Sequence, residues 1–398
     1  MASTSTYDLA AIRRALPALA EVVYMNSGTE GIMAEPVLQA YFAVLGRFER
    51  YGYWDRPRIA GAFAEARQRL ASLINADPDE VGVTHGGTDG VSIVLGSFDF
   101  RPGDQLLIGD QEHPAITYPA FALQAMAGIE VRRFRFCHDP RETISSFISQ
   151  LTPRTRMAAF SHVSCETGIR VPAAELIQIA HEHGARVLLD GAQSIGMFPV
   201  DFRALGCDYL TGSVHKWLCG PKGTGVLAVR RDRLDDLTPR YIGGGSFAEG
   251  FPAGDLNRPE TVQIKFAPTT ARFEYGMRNP ALYAGIVSAV DYLASLGWEA
   301  IAEHERRMIA SLKERLAGID GVVLQTPMEW EHSSALLNFR LEGVSGRELS
   351  RRLWDDWKIV QRAVREPEGV RLCVAYFTSD EDLDRVVEAV LAIRRGKS

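Results

Sequence analysis

Short apolar runs bounded by polar or glycine-rich turns recur at residues 81–84, 105–109, 129–136, 157–162, 186–189, 209–211 and 225–230, with longer amphipathic stretches between most of them. Runs this short and this apolar fit strands covered on both faces, and the segments between them are long enough to cross back as helices. The pattern predicts an α/β chain built on a mostly parallel sheet wrapped by helices. Open sheets of that kind bind ligands at the carboxyl ends of their strands, so the residues just after each run are the candidates for chemistry.

Two such positions stand out. Val187-Leu188-Leu189 runs into Asp190-Gly-Ala-Gln193, and Tyr209-Leu210 runs into Ser213-Val-His215-Lys216-Trp217, a span of 28 residues from Asp190 to Trp217. An amine that condenses with an aldehyde, beside a carboxylate that pairs with a protonated ring nitrogen, is what pyridoxal 5'-phosphate (PLP) requires as an electron sink. Lys216 and Asp190 are the catalytic candidates on that reading, with Gln193, Ser213 and His215 around the cofactor. Taken singly, an aspartate ending a strand is a common turn residue and a lysine before tryptophan is a common solvated charge. The pairing carries the signal.

Other strand ends supply the remaining parts. Val81-Gly-Val-Thr84 reads as a strand, His85-Gly86-Gly87 as a tight turn, and Thr88 as the start of a helix carrying Val91, Val94 and Leu95. Free amides at such a start suit an anion, so the Gly87 and Thr88 amides and the Thr88 hydroxyl are the expected phosphate contacts; Thr88 also suits an ordinary helix cap.

Residues 186–230 resemble the heart of the class V aminotransferases, a group that includes cysteine desulfurases and isopenicillin N epimerase. The resemblance rests on Asp190-Gly-Ala-Gln-Ser, Val200-Asp201, Gly206-Cys207-Asp208-Tyr209, Gly212-Ser213-Val-His-Lys216-Trp217 and Gly220-Pro-Lys-Gly-Thr-Gly225, and extends more weakly over nearly the whole chain. It implies a PLP-dependent transferase fold of type I, with a large cofactor domain at 27–280, a small α+β domain from 1–26 and 281–398, and a homodimer. It further implies that His113, in Glu112-His113-Pro114-Ala115, stacks on the cofactor ring and exchanges protons, and that Asn26 belongs to an opening loop over the substrate. Arg371, in Gly369-Val-Arg-Leu-Cys373, would bind the substrate carboxylate through its planar fork, although an arginine in an apolar strand also suits a structural ion pair. Met277 and Arg278 would lie near the partner's phosphate, where relatives often carry a threonine.

Two departures from the desulfurase pattern bear on the reaction. Cys165 stands where desulfurases commonly place an asparagine, which leaves Gln193 to meet the cofactor's phenolic oxygen and makes Cys165 a wall residue. The desulfurase nucleophile, a cysteine on a loop before the carboxylate arginine, has no counterpart between Lys358 and Gly369. What remains is an enzyme acting on an α-amino acid through an external aldimine and a Cα carbanion. C–S lysis (β-elimination) of a cysteine conjugate is the leading expectation, with transamination, epimerisation and decarboxylation as alternatives. Tyr51, Tyr53 and Trp54, before Asp55-Arg56-Pro57, form an aromatic cluster that reads either as core or as a pocket for a bulky substituent.

Composition narrows the setting. A formal net charge of −6 with no long basic run disfavours nucleic acid, and no stretch of about 18 apolar residues suggests a membrane span. The polar start Met1-Ala-Ser-Thr-Ser-Thr lacks a secretory pattern, and five cysteines without paired metal spacing read as reduced thiols, so a cytoplasmic protein is expected. His181-Glu182-His183 lacks the zinc spacing and reads as a polar helix end.

Overall fold

The computed structural model describes residues 7–55 and 61–396; the first six residues and Arg56-Pro57 lie outside them. The strands, in chain order, are β1 (Val23–Tyr24), β2 (Val81–Thr84), β3 (Gln105–Gly109), β4 (Glu130–Phe134), β5 (Thr155–Ser161), β6 (Arg186–Asp190), β7 (Tyr209–Ser213), β8 (Gly225–Val229), β9 (Val322–Leu324), β10 (Leu336–Leu341), β11 (Ile359–Val360), β12 (Arg362–Arg365) and β13 (Glu368–Cys373). Seven of them form one sheet in the order β2-β8-β7-β6-β5-β3-β4. Every pairing from β7 to β4 is parallel, while β8 runs antiparallel to both β2 and β7. This is the mostly parallel sheet expected of fold type I.

The strand limits differ from the sequence reading for identifiable reasons. The run at 129–136 stops pairing at Phe134, because the Phe136 amide turns to the Asp110 carboxylate at 2.9 Å. The run beginning at Tyr209 continues to Ser213, where β8 pairs with it in the antiparallel direction. These two extra residues bring the strand to the edge of the crevice that holds Lys216.

A second, antiparallel sheet has the order β12-β13-β10-β9, and β1 pairs in parallel with β11, tying the amino-terminal segment to the carboxyl-terminal part of the chain. One core joins Leu107, Phe160, Leu189 and Leu210 of the large sheet to its flanking helices, and another joins Val23 and Met25 to Met308, Leu337 and Leu372. The helix Pro280–Leu296, which the sequence reading puts in the small domain, buries Tyr283, Ile286 and Ala289 in the first of these cores. Of the aromatic cluster, Tyr51 and Trp54 are on the surface: they lean on each other at 5.8 Å and are 51% and 73% exposed.

Candidate active site

Neighbouring parallel strands β6 and β7 end side by side, so Asp190 and the Ser213–Trp217 segment open onto one crevice. That crevice, about 570 Å³, is lined by Gly87, Thr88, His113, Asp190, Ser213, His215 and Lys216, seven of the residues singled out in the sequence. The segment after β7 is held in shape by its own backbone: Val214 donates to Thr224, Gly220 to Val214 and Cys219 to Lys216. Gly31 packs so closely that a Cβ there would collide with the Lys216 carbonyl and the Cys219 sulfur. We therefore expect Gly31→Ala to lower unfolding free energy by about 1–3 kcal/mol and to weaken PLP binding. Urea unfolding and a PLP titration check this; a wild-type midpoint with wild-type affinity would show that the contact relaxes freely.

Electrostatics set the protonation states. Burial pushes the Lys216 amine below its ordinary value, against the pull of Asp190. Burial raises Asp190, opposed by the Lys216 charge and by the Ala192 amide, which donates to its carboxylate at 2.9 Å. His113 caps the helix Pro114–Ala127 and accepts the Ala115 N–H on Nδ1 at 3.0 Å, which assigns the ring proton to Nε2. Burial first, then the Lys216 charge, pushes His113 down to about 4, so a neutral imidazole faces the crevice at physiological pH.

At the opposite end the helix Gly87–Ser97 points its amino terminus at the crevice. One detail corrects the sequence reading: the Gly87 amide is not free, because it donates to the Ser213 hydroxyl at 3.2 Å. Thr88 and the rest of the first turn are left to meet an anion, with the Ser213 proton as a further donor. Nδ1 of His215 is buried without a partner beside Lys216, an orphan that a bound polar ligand would satisfy. A helix start that faces the crevice, a depressed lysine, a buried carboxylate and this orphan fit the requirements of PLP.

Arg371 is 1% exposed and donates to the Cys165 carbonyl at 2.8 Å, the Asn26 Oδ1 at 3.0 Å and the Thr29 hydroxyl at 2.6 Å, while its Nε has no partner. Asn26 thus orients the arginine. Gln193 is more constrained than the sequence suggested: Oε1 accepts from Trp217 at 2.9 Å and Nε2 donates to the Gly28 carbonyl at 2.8 Å, leaving one amide hydrogen for a ligand. The Cys165 thiol leans on Glu166 at 3.4 Å and is pushed up to about 12 by burial, which favours the thiol over the nucleophilic thiolate. All five cysteines are unpaired thiols.

Five predicted residues lie outside this lining: Asn26, Gln193 and Arg371, packed as just described, and Met277 and Arg278. Met277 is 84% exposed, and Arg278 donates to the Val83 carbonyl at 3.3 Å, both along an adjacent depression that also holds Phe63 and Glu274. Conversely, the sequence reading missed Arg362, which lines the crevice and pairs with Glu166 at 2.6 Å. Its place is set by cross-strand register: β12 and β13 form a hairpin that puts Arg362 directly across from Arg371. Tyr241 and Tyr275, stacked at 5.2 Å, also line the crevice.

A sheet of this topology with a lysine and a carboxylate at adjoining strand ends defines a PLP-dependent enzyme of fold type I. The family model for aminotransferase class-V matches residues 37–386, and the chain belongs to that family. It is 31% identical over 338 residues to isopenicillin N epimerase of Streptomyces clavuligerus, covering 83% of this chain and 84% of that one. It is also 31% identical over 421 residues to the probable cysteine desulfurase 2 of Mycobacterium leprae, covering 98% and 97%. Among solved structures, the cystine C-S lyase C-DES in complex with its product cysteine persulfide superposes with a TM-score of 0.85 at 28% identity, covering 94% of this chain and 99% of that one. A Lys-to-Ala variant of C-DES with glycine covalently linked to PLP gives 0.87 at 28% identity, covering 95% and 98%.

Proposed function

We propose that the protein is a C–S lyase that eliminates the β-substituent of a cysteine conjugate, releasing a thiol and an enamine that water hydrolyses to ammonia and pyruvate. One observation carries this reading: β12 and β13 are joined by only Glu366-Pro367, which leaves no loop to bear the nucleophilic cysteine of a desulfurase. The nearest thiol, Cys373, is fully buried with its sulfur against Gly28. Likeness to a cystine C–S lyase supports the same reaction.

Bound PLP supplies the electron sink for the pair left when a proton leaves the amino acid's Cα. Lys216 would hold the cofactor and, once displaced as a free amine, accept that proton, a role suited to its depressed affinity for protons. Asp190 would keep a proton on the ring nitrogen, and the neutral imidazole of His113 would cover the ring face. Thr88 and Ser213 would hold the phosphate. Arg371 would fix the substrate carboxylate, so that the Cα–H bond faces Lys216. The thiolate then leaves from Cβ with the bonding pair.

A second copy of the chain completes this picture as a homodimer. Met277 and Arg278, turned away from their own crevice, would reach the partner's phosphate, and the exposed Tyr241, Ile242 and Ile264 support a covered surface. No single helix among the described residues is long and apolar enough to cross a membrane. The unpaired thiols support a cytoplasmic setting.

The thiols test the reading. Cys165→Ala and Cys373→Ala should each keep thiol release from an S-substituted L-cysteine within about twofold of wild type, because neither sulfur takes part. A loss of activity with the fold retained would return a persulfide mechanism to consideration.

A further inference from the structure

We propose that Glu112 is a positioning residue: its carboxylate clasps Ser161 at the end of β5 and so sets the place of the His113 ring relative to Asp190. The inference rests on the use of His113 and Asp190 against the cofactor ring proposed above. It adds a residue that links them.

The clasp arises where a strand runs out. β3 pairs with β5 up to Ile108 opposite Ala159, and then the chain leaves the sheet after Gly109. β5 continues to Ser161, whose amide has lost its β3 neighbour. Glu112 takes that place with a side chain: its two carboxylate oxygens accept the Ser161 N–H at 3.0 and 3.1 Å, and Oε2 accepts the Ser161 hydroxyl at 2.5 Å. On the other side of β5, Ser161 is the register partner of Asp190, and the His162 amide donates to the Asp190 carbonyl at 2.9 Å. The residue after Glu112 is His113, which enters the crevice as the cap of its helix. A short rigid path therefore joins the imidazole to the carboxylate: His113, Glu112, Ser161, Asp190.

Space has been cleared for this contact. A Cβ on Gly109 would collide with the Glu112 Oε1 and the Phe136 ring. Glu112 is 8% exposed, and burial pushes it up to about 8 despite the Ser161 bonds, with Asp190 and Asp110 adding to the rise. An acid held in such surroundings is costly unless its hydrogen bonds are kept, so its loss is felt along the path.

The test uses PLP-loaded protein and three variants, Glu112→Ala, Glu112→Gln and Ser161→Ala. Each is read by the PLP dissociation constant, by the induced circular dichroism per bound cofactor, which reports how the ring is held, and by far-ultraviolet circular dichroism for folding. Glu112→Ala should weaken PLP binding by about tenfold, the net worth of one buried hydrogen bond, and reduce the induced signal. Glu112→Gln keeps an acceptor for the amide and a donor for the hydroxyl, so it should restore both readouts; Ser161→Ala should fall between. A folded Glu112→Ala protein with wild-type affinity and wild-type induced signal overturns the clasp. If Glu112→Ala does not fold, Ser161→Ala decides, and an unchanged induced signal there overturns it equally. Wild-type protein that binds no PLP would sink the functional reading itself, an outcome separate from an indifferent Glu112.

Discussion

Lys216→Ala should abolish turnover, lowering kcat roughly a thousandfold or more, while the protein still binds PLP. The expectation follows from the two duties that converge on one amine. Its depressed proton affinity comes from burial, and among the described residues the crevice lining has no second amine: Lys222, six residues on, donates to the Gly31 carbonyl at 2.7 Å outside the lining. Removal of a positioned general base alone costs about 10²–10⁴-fold, and loss of the covalent tether adds to it. Single-turnover kinetics, together with the visible spectrum before and after borohydride reduction, check both duties. Wild-type protein should retain the cofactor after reduction and denaturation, and the variant should release it. Activity that survives the substitution would place the base elsewhere.

Arg371→Ala should be nearly as damaging, but through binding. Truncating one partner of a desolvated charge pair costs about 2–5 kcal/mol, which is roughly thirtyfold to several thousandfold in kcat/KM. Arg371 is already oriented by Asn26, Thr29 and the Cys165 carbonyl, with its Nε unpaired, so a carboxylate that displaces the Thr29 hydroxyl from Nη2 meets the Nε–Nη2 edge held in place before it arrives. Arg371→Lys should recover little, because an ammonium keeps the charge and loses the two parallel bonds. Steady-state kinetics with an α-amino acid and with its amide separate the cases: wild type should discriminate strongly against the amide and Arg371→Ala should not. Equal losses on both substrates would make Arg371 a structural residue and move the carboxylate contact to Arg362.

The sequence exposed those parts of the site that lie where a strand ends. Asp190, Ser213, Lys216 and the Gly87-Thr88 turn each follow an apolar run, so hydrophobic patterning located them and residue chemistry gave them candidate roles. Arg362 carries no signal of its own in the sequence, because its importance comes from a cross-strand register that appears once the hairpin is formed. The occupied Gly87 amide and the two-sided restraint on Gln193 were likewise invisible, since both depend on long-range partners: Ser213 for one, Trp217 and Gly28 for the other. Glu112 was passed over for its neighbour His113, as a buried carboxylate that replaces a strand partner leaves no pattern in one dimension. The helix Pro280–Leu296 shows the same limit at larger scale, for an apolar helix fits either of two cores and only packing selects one.

The central claim is elimination without a persulfide formed on the enzyme's own cysteine, and product stoichiometry tests it most directly. PLP-loaded protein is mixed with an S-substituted L-cysteine, and thiol, ammonia and keto acid are assayed while the visible spectrum is followed. Equal amounts of thiol, ammonia and pyruvate, with the lysine-bound form of the cofactor restored after each turnover, are the predicted result. Conversion to the pyridoxamine form without thiol, or racemised substrate with no thiol, would contradict it and assign the protein to transamination or epimerisation.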